Sequence, residues 1–215
     1  MIAILTVSDF DIACLQEVFL PTFDKFFHNL QEQLPHKSLK YHNSGNSCTI
    51  YDQKTMGDAS RISSPDSYLR DKGRPLLVSQ FDGFVVVNVH LPRHVDTAKT
   101  IRAGMETFAQ VNDGDRVLIC GDFNGFDTDV ITVAHTHTHL VKWIGPDGTC
   151  CDDVGFIFGT DLIYDSVPDS GIMFRLGSDV LASDHHSVVA WLDHDGFDTD
   201  TIVASFEKKS RLRDV

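Results

Sequence analysis

The chain has 215 residues, 42% of them apolar and 23% charged, and a formal net charge of −13. This length and balance suit one globular domain with a real core. The acidity excludes tight, sequence-independent binding of long nucleic acid through a broad basic surface, but not phosphate at a site where a divalent ion supplies the positive charge.

In chain order, "DIACLQEV", Asp11 to Val18, reads as a strand ending in Gln16 and Glu17. Pro21 to Leu34 carries Phe23, Phe26, Phe27, Leu30 and Leu34 at helical spacing, with Pro21 suited to a first turn. Ser44 to Lys72 is polar and predicts one short strand near Cys48 to Tyr51, otherwise loops. "RPLLVSQFDGFVVVNVHL" reads as a hairpin with strands Leu76 to Phe81 and Phe84 to Leu91 about an Asp82-Gly83 turn. Thr97 to Val111 predicts a helix. Val117 to Cys120 reads as a strand buried on both faces, with Gly121 able to break it. Asp129 to His139 and Val154 to Phe158 carry weaker patterns; Ser187 to Leu192 is a clear final strand. From Asp193 the chain reads as a tail with a basic cluster, "EKKSRLR", so that 1–192 form the domain and 193–215 follow it.

Five cysteines are present. Cys14 and Cys120 fall in apolar runs, where a reduced, buried thiol is the ordinary expectation, and Cys150-Cys151 lacks the spacing of a zinc pair. The opening "MIAILTVSDF" shows no basic leader and no cleavage-like segment, and no run approaches the roughly 20 apolar residues of a membrane span. A reducing, cytoplasmic setting is the expectation.

Polar groups recur where apolar runs end: Glu17 after "IACLQ", His90 after "VVVNV", Asp122 and Asn124 after "VLIC", and Asp184-His185 just before "SVVAWL". Each alone has a plainer use, as a turn former, a helix-entry acid or a satisfied core histidine. Together they are what hydrolysis of a phosphate ester needs: carboxylates for a divalent cation, an acid to orient water, imidazoles to contact the phosphate or move protons.

With these residues in this order, the chain resembles the endonuclease/exonuclease/phosphatase superfamily. The motifs that carry the resemblance are "DIACLQEV", "VVNVHL", "ICGDFNG" and "ASDHHSVV", spread over most of the chain. The resemblance implies an α/β fold, a four-layer sandwich of two mixed β-sheets flanked by helices, as in deoxyribonuclease I. It implies that Glu17 binds Mg²⁺ (or Mn²⁺) with Asp184 near the metal, that Asp122 orients or deprotonates the attacking water, and that Asn124 helps to position that water or the phosphate. It further implies that His185 contacts the scissile phosphate and that His90 acts as a second imidazole. Arg102 falls where many members carry an Arg on a helix, and a structural ion pair is its expected use.

Two departures from the family pattern stand out. The first strand and its Asn are expected to be absent, because "MIAILTVSDF" suits the end of a helix instead. Where members carry an Asp that orients the His of "SDH", this chain has Gly155; Asp153, two residues earlier, is on the same face of a strand and is the expected substitute, with Asp152 the alternative and a pair of turn acids the plain reading. His135, His137 and His139 alternate and would share one strand face, more simply as a solvated face than as a zinc site.

The expected activity is therefore metal-dependent hydrolysis of a phosphodiester, with nucleic acid, phospholipid or inositol phosphate as the substrate class. A catalytically weak member serving as a binding or scaffold module is the alternative.

Overall fold

The computed structural model describes residues 10–18, 20–63, 72–91, 96–108, 116–124, 141–142, 161–165, 171–175 and 188–192, together with Leu5 and Leu69. Eleven strands and three helices fall within them: β1 (Ile12–Leu15), α1 (Leu20–Gln33), β2 (Leu39–Ser44), β3 (Ser47–Asp52), α2 (Gln53–Met56), β4 (Ser60–Ser63), β5 (Leu77–Phe81), β6 (Phe84–His90), α3 (Thr97–Phe108), β7 (Arg116–Asp122), β8 (Val141–Lys142), β9 (Asp161–Asp165), β10 (Gly171–Arg175) and β11 (Val188–Leu192). None of the described helices is long and apolar enough to cross a membrane.

Side-chain alternation sorts the strands into layers. Strands β1-β3-β2 form an antiparallel sheet, and β4-β5-β6-β7-β9-β8 form a mixed one in which β6 and β7 run parallel. On the small sheet, Ala13, Leu39, Cys48 and Ile50 point outward and pack under Phe23, Leu30 and Leu34. On the large sheet, Val85, Val87, Val89, Val117 and Ile119 point outward and meet Ala103 of α3. The inner faces meet each other through Tyr51, Phe81, Val86, Leu118 and Cys120, with Ile12 and Cys14 at the margin. The order is helix, sheet, sheet, helix, the four-layer α/β sandwich. A separate antiparallel pair joins β10 to β11.

Local chemistry explains most element ends. Pro35, after Leu34, disfavours continuation of α1. Asp96 caps α3, its carboxylate accepting from Lys99 N at 3.2 Å. Because β6 and β7 are parallel they need a crossover, and α3 supplies it between them.

Two expectations need correction. Ser44 to Lys72 holds more than the one expected strand, β3: α2 and β4 follow within it. Both β2 and β4 are edge strands of their sheets among the described residues, and their polar sequences, "LKYHNS" and "SRIS", are what protects an edge from further pairing. Gly121 does not end its strand, which runs on to Asp122. Arg102 is exposed and makes no ion pair among the described residues. Of the proposed opening helix, Leu5 is helical and buried against α1; the rest of 1–9 lies outside the described residues.

The cysteines act as small core side chains. Burial, with Cys14 beside it, pushes the Cys48 thiol up to about 12, and the Cys120 thiol is raised by its hydrogen bond with Cys14 and by burial. Cys14, Cys48 and Cys120 are all free thiols.

Gly121 is fixed by steric need. Its φ is +135°, and a Cβ there would lie 2.0 Å from the Val89 carbonyl oxygen. Gly121→Ala is expected to cost at least about 3 kcal/mol, through forced separation of β6 from β7. Urea denaturation checks this; an unchanged midpoint would contradict it.

Asp52, nearly buried at the end of β3, accepts from Ser38 N at 2.9 Å and Lys54 N at 3.1 Å and sits 3.5 Å from Lys37 Nζ. Burial alone would raise its pKa, but these donors and the Lys37 charge outweigh it and hold the carboxyl below its ordinary value. A depressed folded-state pKa contributes stability that is complete above the unfolded value of about 3.9 and is lost as pH falls through the folded value. The stability gap between the parent protein and Asp52→Asn should therefore be widest near pH 7 and shrink in acid, as measured by urea melts across that range. A gap that stays constant to pH 3 would remove Asp52 from the acid response.

Candidate active site

The inner faces of β6 and β7 change character along their length. Val86 and Leu118 are core; next come Asn88 and Cys120; last come His90 and Asp122, paired across the strands in register. Both strands point the same way, so His90 and Asp122 reach the same end of the sandwich at the same level. They are nearly buried, at 1% and 5% exposure. His90 Nε2 lies 3.5 Å from Asp122 Oδ2.

Asn88, fully buried two residues before His90, joins the sheets. Its Nδ2 donates to the Cys48 carbonyl at 3.0 Å and the Leu15 carbonyl at 3.2 Å, and its Oδ1 accepts from Gln16 Nε2 at 2.8 Å. One side chain thus fixes the end of β1. Beyond Gln16 the chain turns through Glu17 in the left-handed region, φ +55°. That turn places the exposed Glu17 carboxylate 3.7 Å from His90 Nε2. Glu17 and Asp122 therefore face the same imidazole nitrogen.

The loop after β7 orders Asp122. Asn124, also left-handed at φ +51°, donates from its backbone N to Asp122 Oδ1 at 2.8 Å and from Nδ2 to Asp122 Oδ2 at 3.0 Å. Its amide also reaches the Leu91 carbonyl. Leu91 N in turn donates to the Asp122 carbonyl at 2.9 Å. Asn124 is thus a hydrogen-bond partner of the acid.

Two further groups at this end escaped the sequence reading. Asn46, in the two-residue turn between β2 and β3, places Nδ2 3.3 Å from His90 Nδ1 and is tied by its carbonyl to Val18 N at 2.8 Å. Arg74 donates from Nη1 to the Leu91 carbonyl at 2.8 Å and brings Nη2 to 3.9 Å from Glu17 Oε1. A Cβ on Gly45 would meet Gly73 O at 2.8 Å and Pro75 Cδ at 2.9 Å, so the Gly45-Asn46 turn rests directly on the segment that carries Arg74. Asn88 had a visible signal, its place two residues before His90 on the same strand face. Asn46 and Arg74 sit in turns and had none.

The donor set suits a hard divalent cation. Glu17 offers a solvent-exposed carboxylate oxygen, and the buried Asn46 Oδ1 has no hydrogen-bond partner among the described residues. Among the described residues these do not yet make a cluster of three acid, His or Cys ligands. Asp184, His185, Asp153, Asp152, Gly155 and the His135/His137/His139 run lie outside the described residues.

The sequence profile of the endonuclease/exonuclease/phosphatase family matches residues 1–143. The chain belongs to this family. Among curated proteins no sequence matches it. Solved structures of similar fold include an AP endonuclease from Archaeoglobus fulgidus, 17% identical, covering 90% of this chain and 93% of that one with a TM-score of 0.65. D. rerio TDP2 complexed with a single-strand DNA product is 16% identical, covers 89% of each chain and has a TM-score of 0.62. ANGEL2, described as a 2′,3′-cyclic phosphatase, is 15% identical, with 89% of this chain and 75% of that chain covered and a TM-score of 0.56. At these identities the likeness establishes the family fold.

Removing Asn88 should loosen the Glu17 end of β1 as well as the core. Asn88→Ala leaves the Cys48 and Leu15 carbonyls without this donor, and each unpaired buried group costs about 1–3 kcal/mol. A fall of at least about 2 kcal/mol in unfolding free energy is expected in denaturant melts. Parent-like stability would show that water or a neighbour replaces the amide.

Proposed function

We propose that this protein is a metal-dependent phosphoesterase that hydrolyses a phosphodiester, in nucleic acid or phospholipid, by in-line attack of water. The observation that carries the reading is the meeting of Glu17, His90 and Asp122 at one strand end, with Asp122 held from two sides by Asn124. Family membership supports it. The single-strand DNA product on TDP2 and the cyclic phosphatase activity of ANGEL2 favour a phosphate-ester substrate here as well.

In this reading Asp122 takes a proton from water, its carboxylate fixed in direction by the backbone N and amide of Asn124. His90, set between Glu17 and Asp122 and braced by Asn46, donates a hydrogen bond to the phosphate or a proton to the leaving oxygen. Asp184 joins Glu17 in holding the cation, His185 contacts the scissile phosphate, and Asp153 orients His185. Mg²⁺, or Mn²⁺ in its place, supplies positive charge against the ester oxygens when bound. The three free thiols fit a reducing, cytoplasmic setting.

The test is hydrolysis of bis(p-nitrophenyl) phosphate, a DNA oligonucleotide and sphingomyelin, each in Mg²⁺ and in EDTA. Metal-dependent turnover of at least one is expected, and Asp122→Asn should lower it roughly 10²- to 10⁴-fold with little change in melting temperature. Absence of turnover on every diester would return the protein to the scaffold alternative. A fully active Asp122→Asn would remove that acid from the chemistry.

A further inference from the structure

The ring of His90 meets opposite chemistry at its two nitrogens. It is buried, at 1% exposure, so each nitrogen needs a partner other than bulk water. Nε2 faces the Glu17 carboxylate at 3.7 Å and the Asp122 carboxylate at 3.5 Å, groups that accept hydrogen bonds when ionised and do not donate them. A neutral ring in that setting carries its proton on Nε2 and leaves Nδ1 as an acceptor. Nδ1 lies 3.3 Å from Nδ2 of Asn46, an amide nitrogen, which only donates. The two edges of the ring give the same answer independently.

Asn46 is held in the orientation this requires. As placed, its buried Oδ1 has no partner among the described residues. Turned over, the amide would put its NH₂ in that buried place, and two N–H groups would lack partners where one oxygen does now. The backbone is pinned as well. The Asn46 carbonyl accepts from Val18 N at 2.8 Å, and a Cβ on the preceding Gly45 would meet Gly73 O at 2.8 Å. Asn46 belongs to the β2–β3 turn of the small sheet and His90 to β6 of the large one, so the contact crosses between the sheets.

The Nδ1 edge matters most during a reaction. Both carboxylates at Nε2 have other partners in the proposed chemistry, Glu17 the cation and Asp122 the water. Their distances to Nε2 are already longer than an ordinary hydrogen bond. Once they turn to those partners, the place of the proton on the ring is held from the Nδ1 edge. A neutral ring protonated at Nδ1 would instead point a lone pair of Nε2 at the anionic ester.

We propose that Asn46 is a positioning residue that keeps His90 in the neutral form protonated at Nε2. In that form His90 gives the ester a hydrogen bond and keeps its proton, since releasing it would leave an imidazolate. The proposal rests on the phosphoesterase reading for the ester, but the form of the ring is measured without turnover.

Long-range proton–nitrogen correlation NMR of the full chain in Mg²⁺ reads the protonation of each ring nitrogen, with the His90 signals identified by their loss in His90→Gln. The parent should show Nδ1 bare and Nε2 protonated. Asn46→Asp keeps the shape but only accepts, so it should move the Nδ1 resonance into the protonated range. Asn46→Ala should give an averaged Nδ1 resonance. On bis(p-nitrophenyl) phosphate its kcat should fall roughly tenfold or more, as loss of an outer partner of a functional imidazole does. A parent ring protonated at Nδ1 overturns the proposal, as does an Nδ1 resonance that neither variant moves, whether or not the variants melt earlier. A moved resonance with parent-like kcat in Asn46→Ala overturns the positioning role. If the ring behaves as expected yet the parent hydrolyses no diester, the hydrolase reading fails and the hold of Asn46 on the ring stands.

Discussion

The pairing of β6 with β7 is the constraint on which the rest depends. Two parallel strands present their ends on the same side, and this register sets His90 beside Asp122. No adjustment of loops could bring these groups together if the strands slipped by one residue, because every side chain would change face. The close approach at Gly121 fixes that register sterically, since only a residue without a Cβ clears the Val89 peptide. The site is thus a property of the sheet, and the loops complete it.

The second sheet is joined to that frame through polar chemistry. Most of the inter-sheet contact is apolar and without direction, which tolerates sliding. Asn88 removes that freedom by engaging three partners from β1, β3 and the residue that follows β1. At the opposite margin His42 Nδ1 meets Ser79 Oγ at 2.9 Å, a second polar link between the sheets. His42 has a lowered pKa, mainly from burial and then from Arg61, which favours the neutral ring in that contact. Two directional links at separate places hold one sheet at a fixed angle to the other, and so hold Glu17, carried by the small sheet, against two groups carried by the large one.

How much of this the sequence disclosed depended on the kind of residue. β5, β6 and β7 are legible because their apolar runs are long and bounded by turn residues, and α1 because Phe23, Phe26, Phe27, Leu30 and Leu34 repeat at helical spacing. β2 and β4 are not, because an edge strand is polar for protection and so resembles a loop in one dimension. Glu17, His90, Asp122 and Asn124 stand out as polar groups closing apolar strands. Asn46 and Arg74 come to the same place only through contact between two turns distant in sequence, packed glycine to glycine, and no local pattern encodes that meeting.

Glu17 and Asn124 share one more property. Both hold left-handed backbone angles; asparagine tolerates them through local hydrogen bonds, here to Asp122, whereas Glu17 holds them at a cost of order 1–2 kcal/mol that glycine would relieve. The fold could thus become more robust by one substitution, Glu17→Gly, and would lose a carboxylate from the candidate site in doing so, whereas glycine at 124 would also remove the amide that holds Asp122 and Leu91. Screening this scaffold for thermal resistance alone therefore pulls against the proposed site at Glu17, and a hardened variant is best sought everywhere except there.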